Sequence, residues 1–122
     1  MRVSLRRLLG WAALLSLSSV ALLLLNGAAF SAWMSGGPPN PYPQGWALRS
    51  QALFCWSLSA ALAAAFGFLS IRRYPDIGVR VWLTLAAGVV LAVTPLVARE
   101  IIIDKCLDSG GRWSAASLQC ER

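Results

Sequence analysis

Three long stretches of the 122-residue chain contain no charged residue, and this feature constrains the fold more than any other. They extend from Leu8 to Leu48, from Ser50 to Ile71 and from Val81 to Ala98. A helix of about 20 apolar residues crosses the hydrocarbon core of a bilayer, which is about 30 Å thick. Because each stretch reaches or nearly reaches that length, the sequence predicts an all-α integral membrane protein with three transmembrane helices.

The overall composition supports the same prediction. The chain is 57% hydrophobic and 13% charged, whereas a soluble domain of this size must cover its core with polar surface. We expect spans at about 8–32, 47–71 and 81–103, within a transmembrane domain over residues 1–103. A tail over residues 104–122 follows, closed by a disulfide. Proline and glycine in the connections end the first two helices.

Basic residues collect in alternate gaps between the predicted spans. Six arginines precede the first span or separate the second from the third: Arg2, Arg6, Arg7, Arg72, Arg73 and Arg80. Asp76 is the one acidic residue in these segments, whereas charges of both signs balance in the tail, Arg122 included. Basic residues close to a span resist translocation. We therefore expect an inner-membrane protein of bacteria with its N-terminus in the cytoplasm and its C-terminus in the periplasm.

The same distribution identifies the lipid bilayer as the expected partner of the basic residues. Arginines at the ends of spans form no continuous stripe for nucleic acid, so no nucleic-acid binding is expected. A cationic patch for anionic headgroups is the alternative role of these side chains.

The first span also has features of a signal peptide, with a basic start and small residues near its end. Its apolar run from Leu8 to Leu25 is longer than the usual hydrophobic region of a signal peptide, about 7–15 residues. We therefore expect a retained helix. Cleavage is the alternative, and it would leave two spans with the same orientation.

Small residues recur at four-residue spacing in the second and third predicted helices. They are Ser59, Ala63 and Gly67 in the second helix and Thr84, Gly88 and Ala92 in the third. Such faces let helix backbones approach closely in lipid. We expect the two helices to pack through these residues, although alanine-rich spans also produce the spacing by chance. Pro95 removes a backbone donor from the third helix and should bend it.

Two cysteines bracket the tail, with Trp113 midway between them. If the tail is periplasmic, Cys106 and Cys120 lie in an oxidising compartment, where a disulfide is expected. Gly110 and Gly111 can supply the positive φ of a tight turn. Two thiols in a chain without histidine leave a structural zinc site short of ligands unless a dimer completes it. No metal and no cofactor are therefore expected.

The tail also carries the one resemblance to known proteins. The string CLDSGGRW followed by a second cysteine resembles the tails of small proteobacterial inner-membrane proteins, some of which are immunity proteins of antibacterial effectors. The resemblance is confined to the tail. It implies a periplasmic compartment and an immunity role, and it transfers no functional residue to this chain.

The remaining patterns favour binding over catalysis or transport. Histidine is absent, and no nucleophile elbow, paired carboxylate or phosphate loop is present, so an enzyme is not expected. The spans contain no ionisable residue at mid-depth, where transporters usually keep one; a homo-oligomeric pore lined by hydroxyls is the alternative.

We expect an immunity protein that neutralises a membrane- or periplasm-acting toxin by direct binding. The alternative is an accessory or assembly subunit of an envelope complex for transport, secretion or respiration.

Overall fold

Three long helices and a short hairpin make up most of the computed structural model, which describes residues 2–121. The helices are α1 (Arg2–Gly36), α2 (Pro43–Arg73) and α3 (Val79–Asp108), and the strands are β1 (Arg112–Ser114) and β2 (Gln119–Glu121). All three helices are long and apolar enough to cross a membrane. Arg122, counted above with the basic residues of the tail, lies outside the described residues.

Each helix extends beyond its predicted span at both ends. Arginine is a good helix former, and its guanidinium stays hydrated while its stem covers apolar surface. The arginines at the beginning of α1 and the end of α2 are therefore helical, although the apolar pattern stops before them. Pro43 lies in the first turn of α2, where its missing N–H removes no helical bond. Helix α3 continues through Pro95 and past the predicted boundary at residue 103.

The tail has one feature that the sequence did not predict. The tail contains an antiparallel two-stranded hairpin, which pairs Arg112 with Glu121, Trp113 with Cys120 and Ser114 with Gln119. Strands of three residues have no alternating pattern long enough to be recognised in a sequence. The hairpin lies at the end of the bundle formed by the end of α3 and the beginning of α2, which we call the hairpin end.

Helix α2 lies between α1 and α3 and packs against both in antiparallel orientation. On α1 the buried residues are small and share one face: Gly10, Ala21, Ala28 and Ser31. On α2, Ser57 and Ala64 are buried and lie about two turns apart. The buried Ser57 hydroxyl donates to the Ala21 carbonyl across this interface at 2.9 Å.

The second interface joins α2 to α3. The Ser59 hydroxyl donates to the Gly88 carbonyl at 2.7 Å, and the Trp56 indole donates to the Ala92 carbonyl at 3.1 Å. Hydroxyl and indole donors of this kind connect neighbouring helices through bonds from a side chain to the opposite backbone.

The predicted small faces are divided between these two interfaces. Gly88 is buried against Leu62 and Ser59, whereas the nearest side chain to Gly67 is Ala13 of α1. The Thr84 hydroxyl donates to the Arg80 carbonyl within its own helix, and Ala63 is half-buried.

The helical repeat explains why one stripe serves two neighbours. Each four-residue step advances about 40° around an α-helix. A stripe of such steps therefore turns gradually from the side of one neighbour to that of another. Ser59 consequently contacts α3, while Gly67, eight residues further along the same stripe, contacts α1.

Candidate functional site

The hairpin end begins where two glycines end α3. Gly110 has a φ of +80°, and its N–H donates to the Leu107 carbonyl at 3.0 Å. The Gly111 N–H donates to the Cys106 carbonyl, also at 3.0 Å. This pair of bonds satisfies carbonyls that the last helical turn leaves without partners. Of the two glycines, Gly110 adopts the positive φ.

The predicted disulfide between Cys106 and Cys120 is present, with its Cα atoms 5.6 Å apart. It does not close a free loop, because Cys106 is buried in the last turn of α3 and Cys120 lies in β2. A Cβ on Gly111 would lie 2.5 Å from the Cys120 sulfur. Glycine is therefore required there for space and not for a positive φ.

The hairpin also contacts α2. Gly45 is buried in the first turn of α2, and a Cβ at this position would collide with the Ser117 carbonyl. The turn of the hairpin thus lies directly on the helix backbone, and Tyr42, Trp46 and Leu118 border the same contact. Since an isolated two-stranded hairpin is marginally stable, the disulfide and this contact together hold it in place.

A cavity of about 510 Å³ lies under the hairpin, between the first part of α2 and the last part of α3. Most of its lining is apolar. The α2 residues are Leu48, Arg49, Gln51, Ala52, Leu53, Cys55 and Trp56; α3 contributes Thr94, Pro95, Leu96, Ala98, Arg99 and Ile102; the hairpin contributes Trp113, Ala115, Ala116 and Leu118. All three structural parts of the hairpin end therefore meet at one cavity.

Two arginines are the charged residues in this lining. Arg49 comes from α2 and Arg99 from α3, and no acidic residue lines the cavity. The guanidinium of Arg49 lies 5.6 Å from the centroid of the Trp46 ring, a cation–π arrangement that orients the side chain. The cavity therefore combines an apolar wall with uncompensated positive charge.

Two buried polar atoms of the hairpin have no hydrogen-bond partner within the described part of the chain. They are the indole nitrogen of Trp113 and the hydroxyl of Ser117. Trp113 lines the cavity under the hairpin, and Ser117 lies where the turn of the hairpin contacts α2. A buried donor without an acceptor is unfavourable, so both atoms carry an energetic cost in this arrangement.

The opposite end of the bundle carries the arginines used to predict orientation. Arg2, Arg6, Arg7, Arg72, Arg73 and Arg80 are all exposed there. Arg6 of α1 donates to the Tyr74 carbonyl at 3.3 Å and stacks over its ring, and Arg72 stacks over Phe68. The fold thus collects the six arginines at one end and the hairpin at the other.

The cavity contains residues that the sequence did not single out. Arg49 interrupts an otherwise uncharged run from Leu8 to Ile71, and this interruption was the available signal. Arg99 gave no such signal because it stands among the mixed charges that follow the third span. Within residues 2–121 no group of three or more histidine, cysteine, aspartate or glutamate side chains is placed to hold a metal ion.

Comparison of the chain with protein-family models, curated proteins and solved structures finds no match in any of the three.

Proposed function

We propose that the protein is a bacterial inner-membrane binding protein that presents its hairpin to a protein partner in the periplasm. The observation that carries this proposal is the double attachment of the hairpin. The disulfide between Cys106 and Cys120 connects it to α3, and the turn at Ser117 lies on Gly45 of α2. A surface fixed before binding loses less conformational entropy when a partner docks.

The orientation in this proposal rests on the distribution of charge. Six arginines lie at the end opposite the hairpin, and basic residues beside spans are retained in the cytoplasm. The hairpin end then faces the periplasm, where disulfides form and persist. Membrane insertion also accounts for the large apolar side chains exposed on all three helices, among them Leu22, Leu23 and Val90.

The specific partner that we propose is an antibacterial toxin acting at the membrane or in the periplasm. The resemblance of the tail to those of immunity proteins supports this choice, because the resembling segment includes the last turn of α3, the disulfide and β1. Neutralisation would occur by occlusion. The hairpin would cover a soluble face of the toxin, or the exposed surfaces of α2 and α3 would occupy its membrane-facing surface.

Where an effector gene adjoins this gene, co-expression of the two tests this proposal. Cells that produce the protein should survive the effector, whereas unchanged killing at normal membrane abundance would contradict the immunity role. Recovery of a transport, secretion or respiratory complex in mild detergent, with no toxin bound, would instead indicate an accessory subunit.

A charge exchange in the hairpin tests whether its surface carries recognition. Arg112 and Glu121 are cross-strand neighbours, so Arg112→Glu places like charges opposite each other, which destabilises a strand pair. The double variant Arg112→Glu/Glu121→Arg restores opposite charges and leaves the surface reversed. If the surface binds the partner, both variants lose protection. If the double variant protects as well as the unchanged protein, these two side chains are not part of the recognition surface.

A further inference from the structure

We propose that the cavity at the hairpin end binds one anionic phospholipid of the surrounding leaflet. Its phosphate would lie between Arg49 and Arg99, and an acyl chain would follow the apolar wall. This inference goes beyond the proposed protein–protein function. It requires insertion in a membrane and does not depend on the identity of a protein partner.

The apolar part of the site matches a hydrocarbon chain in size and access. The cavity of about 510 Å³ falls within the range of small-molecule sites, about 300–1,000 Å³. Leu48, Leu53 and Ile102 contribute its wall. Leu96 also lines the cavity and is 53% exposed. The cavity is partly open, so an acyl chain of the surrounding lipid has access to it when the helices are embedded in a membrane.

The polar part of the site matches a phosphate. Guanidinium groups bind phosphate through paired charge-assisted hydrogen bonds, and no carboxylate in the lining competes for Arg49 or Arg99. Arginine is costly in hydrocarbon and is kept near the headgroups, which is the depth at which lipid phosphates lie. Two arginines from different helices thus border the cavity at the level of the ligand group they would recognise.

The half-buried side chain of Trp113 adds an aromatic ring to the wall of the cavity. Its nitrogen has no hydrogen-bond acceptor within residues 2–121, and the side chain lines the same cavity. That nitrogen is inaccessible to solvent, so Trp113 contributes its ring to the apolar wall, and the two arginines carry the recognition of the anion.

Charge complementarity selects the class of lipid. A phosphatidylglycerol headgroup brings one negative charge to two arginines. Phosphatidylcholine carries its own cation beside the phosphate and leaves part of the positive charge uncompensated. We therefore expect the anionic lipid to bind at least tenfold more tightly than the zwitterionic one.

Native mass spectrometry of the full chain in mild detergent measures this binding. One phosphatidylglycerol molecule should remain bound, and the double variant Arg49→Gln/Arg99→Gln should weaken its binding at least tenfold. Arg73→Gln/Lys105→Gln is the matched control, because both residues are exposed and lie outside the cavity lining, and because the double change removes the same charge. The control should bind as the unchanged protein does.

A second pair of variants tests the acyl chain. Ala52→Phe places a ring in the cavity and should reduce lipid binding at least fivefold, whereas Ala86→Phe lies on an exposed face of α3 away from the cavity and should not. Melting temperature and helical content confirm that each variant is folded.

Three results would overturn the proposal. They are equal binding of phosphatidylcholine, an equal loss of lipid binding in the Arg73→Gln/Lys105→Gln control, and displacement of the lipid by inorganic phosphate at the same concentration. The last result would show that the arginines bind a free anion without the hydrocarbon chain.

Discussion

Single glycines set the closest backbone contacts of this protein, and Gly45 has the least room of all. In a free helix, replacing glycine with alanine is stabilising by about 1 kcal/mol. At Gly45 the added methyl group would collide with the Ser117 carbonyl, and overpacking of this kind costs about 1–3 kcal/mol. We therefore expect Gly45→Ala to lower the melting temperature of the oxidised protein in mild detergent.

Gly36 provides the matched control for the substitution at Gly45. It is the last residue of α1, and an added Cβ meets nothing within 4 Å. Gly36→Ala should therefore leave the melting temperature unchanged or raise it slightly. A higher melting temperature for Gly45→Ala would show that the hairpin does not rest on α2.

The disulfide connects two secondary-structure elements, α3 and β2. A disulfide that closes a loop of about 15 residues in the unfolded chain contributes about 3 kcal/mol to stability in the chain-entropy model. We expect Cys106→Ser/Cys120→Ser to leave the helical circular dichroism unchanged while opening the hairpin. Trypsin cleavage after Arg112 should then become at least tenfold faster. Cys55→Ser removes the free cysteine, and trypsin should cleave this variant as slowly as the unchanged protein. Equal cleavage rates in the unchanged protein, Cys55→Ser and Cys106→Ser/Cys120→Ser would contradict a stabilising role for the disulfide.

The interface between α2 and α3 depends on the small size of Gly88. An added Cβ at Gly88 lies 3.5 Å from the Leu62 Cβ and 3.6 Å from the Ser59 carbonyl, so a leucine side chain would force the helices apart. Gly88→Leu should cost about 1–3 kcal/mol and lower the melting temperature in mild detergent. Ala86→Leu, on an exposed face of the same helix, should have little effect. Equal effects of the two changes would place Gly88 outside the interface.

The elements differ in how far the sequence predicts them. Three apolar helices and the pair Cys106–Cys120 follow from hydropathy and spacing, which are local properties. The helix against which each small residue packs does not follow from spacing alone. A four-residue stripe turns around the helix, so that Ser59 contacts α3 but Gly67 contacts α1. The cavity could not be predicted from the sequence, since its lining comes from three separate segments that meet only in the folded protein.

The distribution of charge predicts a single orientation of the protein in the membrane. Alkaline phosphatase fused after Arg122 should be active, because it folds in the periplasm, and a fusion within the 74–78 connection should be inactive. Green fluorescent protein at the same two positions should give the opposite pattern. Fluorescence after Arg122 would contradict both the orientation and the outward-facing hairpin.

Retention of α1 is a second whole-molecule prediction. Its small residues pack along α2 from Gly10, beside Phe68, to Gly27, beside Leu53, so cleavage would expose most of one face of α2. We expect the protein purified from membranes to have the mass of the whole chain, 13.1 kDa, by intact mass spectrometry. A mass reduced by the first 27 to 32 residues would show that the segment is a signal peptide.

The free thiol of Cys55 has a practical consequence. The other two cysteines are joined to each other, so the oxidised protein offers a single alkylation site in its described part. Because Cys55 lines the cavity, its rate of labelling by an uncharged maleimide is a direct optical or mass readout of occupancy. Labelling of this native cysteine can therefore report whether the cavity is occupied, without an engineered cysteine.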